Sequence, residues 1–294
     1  MSLSQSQEAP IAGGPVPLGP DSLVWKMGFP RTGLLVAGRA LMLQTAHPVV
    51  GAGVRDFSDF TRDPWGRLDR TLRSLQVQLF GGPAALEEAE RLRRLHRGIR
   101  GTDFRGERYQ ALDPEAYAWV HLSNFDTVLA GVRWFGPSLT RDGREQLYAE
   151  WRQTGLVLGV RDECMPADLD AFRAYVRHMV SGTLSDNETV RILLSSLELK
   201  GVEPPPWPLF PAPLWTVLRP LGRSFLHDVT VGTLPTLLRQ RLGLPWNLAD
   251  RRRLQAAAIL VRAATTPLPD RVLHYPMGAR ARRDARRADS RQVA

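Results

Sequence analysis

The side chains best suited to chemistry lie on two predicted helices between Arg67 and Gly101. Arg67 and Thr71 are four residues apart, so they project from the same helix face, with Arg70 beside them. On the second helix, His96 directly follows an apolar stripe. A neutral imidazole can bind iron, and arginine binds carboxylates through paired, charge-assisted hydrogen bonds. From the residues alone, a histidine at such a position is more often a buried, hydrogen-bonded residue than a metal ligand.

Both helices have the apolar spacing that buries one helix face against a protein interior. The break between them is Gly81-Gly82-Pro83. Because His96 comes directly after the last apolar residue of its helix, a small rotation decides whether the ring faces the interior. We expect that it does. The predicted stripes are Leu68, Leu72, Leu75 and Leu79 on the first helix, and Leu86, Ala89, Leu92 and Leu95 on the second.

A competing metal ligand is His121, which lies beside Trp119 on the next predicted helix. That helix is expected because Asp113 supplies a cap and Pro114 suits the first turn. His121 is slightly better explained as a core histidine or as a residue that orients a bound group or a water.

The remaining polar candidates have simpler explanations beside the functional ones. Thr71 can bond back to the carbonyl four residues earlier. His47 precedes a proline at a helix end, where capping explains it at least as well as catalysis. Asn124 and Asp126 either line a pocket or cap neighbouring backbone. Three further histidines have no recognised context and are expected to be structural or exposed: His178, His227 and His274.

The composition indicates a globular protein, because 43% of the 294 residues are apolar. The net charge of +9 and the pI near 10.6 first suggest a nucleic acid or an anionic surface as partner. Between residues 279 and 294, however, six arginines and two aspartates place a net +4 in a predicted tail. The predicted helices carry mixed charge rather than a basic stripe, so we expect no specific nucleic-acid partner.

The cysteine content and the termini bear on location. Cys164 is the single cysteine, which excludes an intrachain disulfide and a cysteine metal site. The first seven residues have neither the basic nor the apolar part of a secretory signal, and no run of about 20 apolar residues occurs. We therefore expect a cytoplasmic protein without a membrane span, and the oligomeric state is unknown.

Helical periodicity recurs along the chain and period-two alternation is scarce, so the sequence predicts one all-α domain. Residues 1–20 are expected to be a disordered N-terminal segment and residues 21–278 the helical domain. A proline-rich connector is predicted near 202–213, and a basic, disordered tail at 279–294. Ser185 is expected to cap a helix, with Glu188 at the capping-box spacing.

Several other classes of active site are not indicated. The sequence has no Gly-x-Ser-x-Gly elbow, Walker-type phosphate loop, dinucleotide fingerprint or His-Glu-x-x-His motif. The Glu-x-x-His pairs of a helical di-iron site are also missing, which argues against di-iron chemistry.

A series of short motifs runs through the chain: Leu43-Gln44-Thr45-Ala46-His47-Pro48, Asp63-Pro64-Trp65-Gly66-Arg67 with Thr71, Leu95-His96 followed by Gly101, Tyr109-Gln110-Ala111-Leu112-Asp113-Pro114, and Trp119-Val120-His121. In order and spacing they resemble the MpaB and rubber-oxygenase family. That family includes bacterial latex clearing proteins and a fungal enzyme that cleaves a prenyl side chain. The resemblance covers roughly residues 34–199, with further similarity at Leu234-Pro235 and Leu242-Gly243-Leu244-Pro245-Trp246.

The resemblance implies an all-helical fold around one haem b, with His96 as the axial ligand of the iron. Arg67 and Thr71 match the family's Arg-x-x-x-Thr pair near the haem. The lysine that some rubber oxygenases carry between them is Arg70 here. Because arginine does not release a proton near neutral pH, the chemistry on the dioxygen side does not carry over directly. Arg67 is the first choice to bind a haem propionate, with Arg70 or Arg100 second.

The implied function is the haem-dependent oxidation of a small hydrophobic molecule by O2, such as cleavage of an alkene or prenyl group. An insoluble polymer outside the cell is not the expected substrate, since the chain is shorter than secreted rubber oxygenases and shows no export signal. Peroxidase-like or dehydrogenating chemistry is an alternative. So is a non-catalytic haem or lipophile carrier, with both His96 and His121 on the iron and no position open for O2. A metal-free helical scaffold is a third possibility.

Overall fold

The computed structural model describes residues 14–58, 62–197, 199, 203–204 and 212–293. These residues are almost entirely helical, which confirms the predicted all-α fold. Among them, no helix combines the length and the apolar character that a membrane span requires. The helices are α1 Leu23–Met27, α2 Ala37–Thr45, α3 Pro48–Phe57, α4 Pro64–Phe80, α5 Ala84–Arg97, α6 Pro114–Phe135, α7 Arg141–Leu158, α8 Leu169–His178, α9 Glu188–Ser196, α10 Ala212–Thr233, α11 Thr236–Arg241, α12 Leu248–Thr265, α13 Asp270–Leu273 and α14 Pro276–Val293.

Short polar side chains begin several of these helices. Asp63 accepts a hydrogen bond from the backbone N–H three residues on in α4, at 2.9 Å, and Asp113 does the same in α6, at 3.0 Å. Such caps satisfy amides that have no partner within the helix. For α9 the expected cap, Ser185, is wrong: Asn187 caps the helix, while the Ser185 amide donates to the Ala46 carbonyl. This tertiary hydrogen bond holds Ser185 before the helix begins.

The central element is α6, because it contributes to three apolar clusters. Phe125 packs with α7 and α8, and its ring centroid lies 5.0 Å from that of Phe172. Trp119 is fully buried among α2, α9 and α11, and its Nε1 donates to the Leu43 carbonyl at 2.9 Å. Phe135 belongs to the cluster formed with α10 and α12. A helix that is apolar around its circumference is buried in this way.

A two-stranded antiparallel hairpin, β1 Arg100–Thr102 and β2 Arg108–Gln110, follows α5. Gly101 pairs with Tyr109, and a Cβ on Gly101 would lie 3.0 Å from the tyrosine ring. The Tyr109 hydroxyl donates to Asp56 at 3.0 Å, which anchors the hairpin to α3. The hairpin thereby fixes the chain between α5 and α6.

The C-terminal segment differs from the predicted disordered tail, because α14 spans it to Val293. Ala279, Ala281 and Ala285 are buried, and the helix packs on α1 and α4. Asp270 binds Arg286 at 2.7 Å and Arg282 at 3.2 Å. The dense arginine content suggested disorder, but the small alanines between the arginines allow a close helix contact.

At the other end, Leu18 is buried in the first core cluster, although residues 1–20 were predicted to be disordered. The Val16 carbonyl accepts a hydrogen bond from Gln153 at 2.7 Å. The described part of this segment therefore packs on the domain. Residues 1–13 and most of the predicted connector near 202–213 lie outside the described residues.

Candidate functional site

A cavity of about 560 Å³ lies between α3, α4, α5, α6 and α7. Its volume falls within the range of roughly 300–1,000 Å³ that is usual for small-molecule and cofactor sites. Most of its walls are apolar. Five of the six predicted site residues line it together: Arg67, Arg70, Thr71, His96 and His121.

The hairpin of α4 and α5 brings the predicted residues of both helices to the same cavity. Gly82 in the connecting turn has φ +54°, a conformation that favours glycine. Glu88 of α5 accepts a hydrogen bond from Ser74 of α4 and binds Arg91 of its own helix. These contacts hold the two helices side by side, so Arg67 and His96 face one space.

The hydrogen bond of His96 selects the tautomer of its ring. Nδ1 lies 2.7 Å from the Leu92 carbonyl, and because a carbonyl only accepts, Nδ1 must donate. In the neutral ring, Nε2 then carries the lone pair, and it makes no hydrogen bond with a described residue. The ring stands edge-on to Tyr117, with centroids 6.2 Å apart. Metal-binding histidines typically donate the N–H of the other ring nitrogen to a carbonyl or carboxylate, as His96 does here.

The rotation of α5 brings His96 to the cavity. Ala85 and Ala89 are buried, whereas Leu86 and Leu95 are 42% and 59% exposed. Ala85, Ala89 and His96 share one face of α5, and this face is narrower than the predicted stripe, so Leu86 and Leu95 lie at its margins. This agrees with the expected orientation of His96.

Three arginines and no carboxylate are among the residues that line the cavity. Arg70 binds Asp63 at 3.1 Å, and Arg91 binds Glu88 at 2.7 Å, with both carboxylates outside the lining. For Arg67, burial and the adjacent Arg70 lower the pKa of the guanidinium below its usual range. The edge of the cavity is therefore electropositive, and an anionic group there would stabilise Arg67.

Thr71 makes one of its two expected contacts, and Arg100 lies away from the other predicted residues. The Thr71 hydroxyl donates to the Arg67 carbonyl at 2.9 Å, which is the simpler explanation offered by the sequence. Its oxygen can still accept a hydrogen bond. Arg100 lies outside the cavity: it is exposed on β1 and donates to the Arg97 carbonyl at 3.3 Å. The chain enters the hairpin directly after α5, and this carries Arg100 away from the cavity.

His121 is held by reciprocal hydrogen bonds to Trp151. Its Nε2 donates to the Trp151 carbonyl at 2.9 Å, and the indole Nε1 donates to the His121 carbonyl at 3.1 Å. The two rings stack with centroids 5.4 Å apart. Burial lowers the pKa of His121 to about 4, so the ring is neutral at pH 7. His121 therefore forms part of the cavity wall, with Nε2 already engaged.

The other polar candidates lie in different surroundings. Asn124 lines the cavity and accepts a hydrogen bond from Gln44 at 3.0 Å, whereas Asp126 pairs with Arg39. His47 is the N-cap residue that precedes α3, and its side chain makes no capping hydrogen bond. His274 is buried away from the cavity and His178 is exposed.

Sequence reasoning missed Arg91, Gln44 and Trp151 as cavity residues. Arg91 lies outside the predicted apolar stripe of α5, but it is four residues before Leu95, which also lines the cavity. Gln44 stands inside one of the recognised motifs. Trp151 has no local signal, because only the packing of α7 on α6 brings it to the site.

Within the described part of the chain, no group of three or more His, Cys, Asp or Glu side chains is placed to bind a metal ion. The fold and the cavity define an all-helical protein with an apolar, arginine-edged pocket that contains one histidine suited to coordination.

Comparison with known proteins identifies the group. The chain belongs to the family described as ER-bound oxygenase mpaB/B'/Rubber oxygenase, catalytic domain, which matches residues 25–263. This confirms the resemblance seen in the motifs, and the family is one of oxygenases.

Two mycobacterial relatives are each 25% identical over 252 residues, which is 81% of this chain and 91% of the relative. They are the uncharacterized protein Mb2261 of Mycobacterium bovis and the uncharacterized protein Rv2237 of Mycobacterium tuberculosis. No solved structure gives a significant match.

Proposed function

We propose that this chain is a haem b-dependent oxygenase that acts on a small hydrophobic substrate, and that His96 would hold the haem iron. The observation that carries the proposal is the hydrogen bond from His96 Nδ1 to Leu92, which leaves Nε2 as the coordinating atom at an apolar cavity. The family, one of oxygenase catalytic domains, supports it.

The residues at the cavity fit the chemical groups of haem b. Haem has an apolar ring, an iron that accepts a neutral imidazole, and two anionic propionates. Arg67 is suited to one propionate, and Arg70 or Arg91 to the other, through paired hydrogen bonds. When bound, the haem supplies the activation of O2.

The lining residues support a reaction that needs no proton from the protein. At pH 7 His121 is neutral, because its pKa is lowered to about 4. The Tyr117 hydroxyl donates to the Leu158 carbonyl at 3.2 Å, and burial raises its pKa. Cleavage of a carbon–carbon double bond by O2 into two carbonyl groups balances without added protons or electrons. We infer that this is the reaction class.

The edge of the cavity supports an apolar substrate. Phe57 and Leu95 both line the cavity, yet they are 51% and 59% exposed. Large apolar side chains that remain in contact with water often mark a ligand-binding groove. A lipophilic alkene could enter past these two residues, while the apolar walls keep water out.

The first test is the absorption spectrum of the purified full-length chain, with haem identity checked as the pyridine haemochrome. The wild type is expected to show a Soret band, and His96→Ala to lose it. His178→Ala is the matched control, because it removes an exposed histidine far from the cavity. A colourless wild type that cannot take up hemin, or His96→Ala with full haem occupancy, would reject the assignment.

The second test measures O2 uptake with lipophilic alkenes. One O2 consumed per double bond cleaved is expected. Turnover with peroxide and no O2 uptake would instead favour the peroxidase-like alternative. A carrier with both histidines on the iron is less well supported, because His121 Nε2 already donates to the Trp151 carbonyl.

A further inference from the structure

A second and larger concavity, of about 860 Å³, lies where the end of α6 meets α10, α11 and α12. It shares no lining residue with the His96 cavity. We refer to it as the arginine cleft. Five arginines and no carboxylate are among the residues that line it: Arg39, Arg133, Arg239, Arg251 and Arg262.

Most of this positive charge has no counter-ion in the part of the chain that is described. Arg39 pairs with Asp126, but Arg133, Arg239, Arg251 and Arg262 form no ion pair with a described carboxylate. Burial lowers the pKa of Arg239 below its usual range. Gathered cations raise the local positive potential and attract an anion.

The floor of the cleft contains a buried donor without an acceptor. Arg39 is only 6% exposed, and its Nε has no hydrogen-bond partner among the described residues although a second nitrogen binds Asp126. Buried guanidinium donors are normally satisfied. An oxygen of a ligand, or a water, that enters the cleft could accept a hydrogen bond from this Nε–H.

One wall of the cleft is aromatic and held in place. Trp246 packs against Gly232 so closely that a Cβ on the glycine would lie 2.4 Å from the indole. The Arg239 guanidinium lies over the indole ring, 5.5 Å from its centroid. Ile259, on the α12 side, is 65% exposed. The cleft therefore combines fixed planar and apolar surface with positive charge.

We propose that the arginine cleft binds a nucleotide-like ligand, with a phosphate group held by the arginines and an aromatic ring against Trp246. Guanidinium forks match phosphate oxygens in pairs, and a planar ring packs well on an indole face. A cleft of this volume accommodates one molecule of that size. This activity is separate from the proposed oxygenase site.

A single small ligand fits better than a nucleic-acid strand. On α12, exposed Leu248 and Leu260 interrupt the basic surface outside the cleft, and Arg253 is neutralised by Asp228 and Asp250. A strand would need phosphate-binding groups along its whole path. The arginines instead converge on one concavity.

Isothermal titration calorimetry of the full-length chain with ADP tests the proposal. Saturable binding of one ADP is expected. Adenosine and inorganic phosphate should each bind at least about tenfold more weakly, because each lacks one of the two recognised groups. A single-stranded oligonucleotide that binds as tightly as ADP, or phosphate alone that does so, would overturn the assignment.

Two variants of α12 make the test specific. Arg251→Gln changes a cleft arginine whose side chain makes no hydrogen bond with a described residue, so it should weaken ADP binding roughly tenfold without disturbing the fold. Arg252→Gln is the matched control, since Arg252 is its exposed neighbour and does not line the cleft. If both variants lost the same ADP affinity, the loss would reflect only the change in net charge, and the proposal would be overturned. A wild type without saturable ADP binding would also overturn it.

Discussion

The His96 cavity and the arginine cleft both contain arginines, but they differ in the counter-ions of these arginines and in the rest of their linings. In the cavity, Arg70 and Arg91 are balanced by Asp63 and Glu88, which stand outside an otherwise apolar lining. In the cleft, four arginines have no described counter-ion, and charged and apolar side chains share the lining. The difference shows that the composition of the lining decides how charge is used. A largely apolar space favours a hydrophobic ligand with charge at its edge, whereas a basic concavity favours binding led by charge.

The difference also predicts how salt acts on the two sites. Interactions between exposed charges are screened within about 8 Å at physiological ionic strength, and buried groups are screened much less. Nucleotide binding in the cleft should therefore weaken with added salt, while haem retention in the cavity should change little. The following predictions separate the two regions further, beginning with the largest effect.

Acid should destabilise the cavity side through His121. Its pKa is lowered to about 4, so the unfolded state binds the proton more readily. The stability that depends on a neutral His121 is fully present above pH 6.5, which is about the pKa of histidine in the unfolded chain. This stability is lost as the pH falls toward 4, the pKa of His121 in the folded protein. At about 1.4 kcal/mol per unit, His121 alone lowers the free energy of unfolding by roughly 3 kcal/mol over that window. No histidine lines the cleft.

Urea unfolding at pH 7, 5.5 and 4.5 measures this effect. His121→Gln should be less stable at pH 7 but should lose less stability on acidification than the wild type. His178→Gln, which changes an exposed histidine, should keep the full decline. An undiminished decline in His121→Gln would assign the acid sensitivity to other groups.

Two glycine variants should damage one region each. In Gly155→Ala the new Cβ would lie 2.9 Å from His121 Nε2, and in Gly232→Ala it would lie 2.4 Å from Trp246. Each overpacked variant should lose about 1–3 kcal/mol of stability. Gly155→Ala should alter the haem spectrum and leave ADP binding intact, and Gly232→Ala should do the reverse. Spectra and calorimetry of both proteins check this, and matching changes at both sites would show that the regions are not independent.

Removing the buried cation of the cavity should loosen the haem. Arg67→Gln is expected to speed haem loss to apomyoglobin by roughly tenfold, the effect of one charge-assisted hydrogen bond. Arg73→Gln is the control, because Arg73 lies on the same helix, is 76% exposed and does not line the cavity. Similar rates for Arg67→Gln and the wild type would remove Arg67 from haem binding.

The smallest effect is expected at Gly53, which also lines the cavity. A Cβ there would meet Ile99 and Tyr109 at 3.7 and 3.8 Å, an ordinary contact distance. Gly53→Ala should therefore stabilise the protein by about 0.5–1 kcal/mol, because alanine loses less backbone entropy in a helix. Thermal unfolding checks the sign. A loss of stability would mean that the cavity wall cannot take up a methyl group.

Local signals in the sequence located the helices around the site. The Gly81-Gly82-Pro83 break separates α4 from α5, and Asp113 with Pro114 begins α6. These signals act within a few residues, through glycine conformation and the satisfaction of free amides. Residues joined by long-range packing could not be found in this way. Trp151 reaches the cavity through the contact of α7 with α6, and α14 became ordered through its contacts with α1 and α4.

By itself, the sequence determined that the chain is helical, where α4 ends and α5 begins, and which residue types are available for chemistry. Only the tertiary structure decided that His96 is less exposed than Leu95 although both line the cavity, and that Arg100 leaves the site. Adjacent residues on a helix point about 100° apart, so a modest rotation exchanges one neighbour for the next. Packing of α5 against the neighbouring helices sets that rotation, and it depends on side chains distant in the sequence.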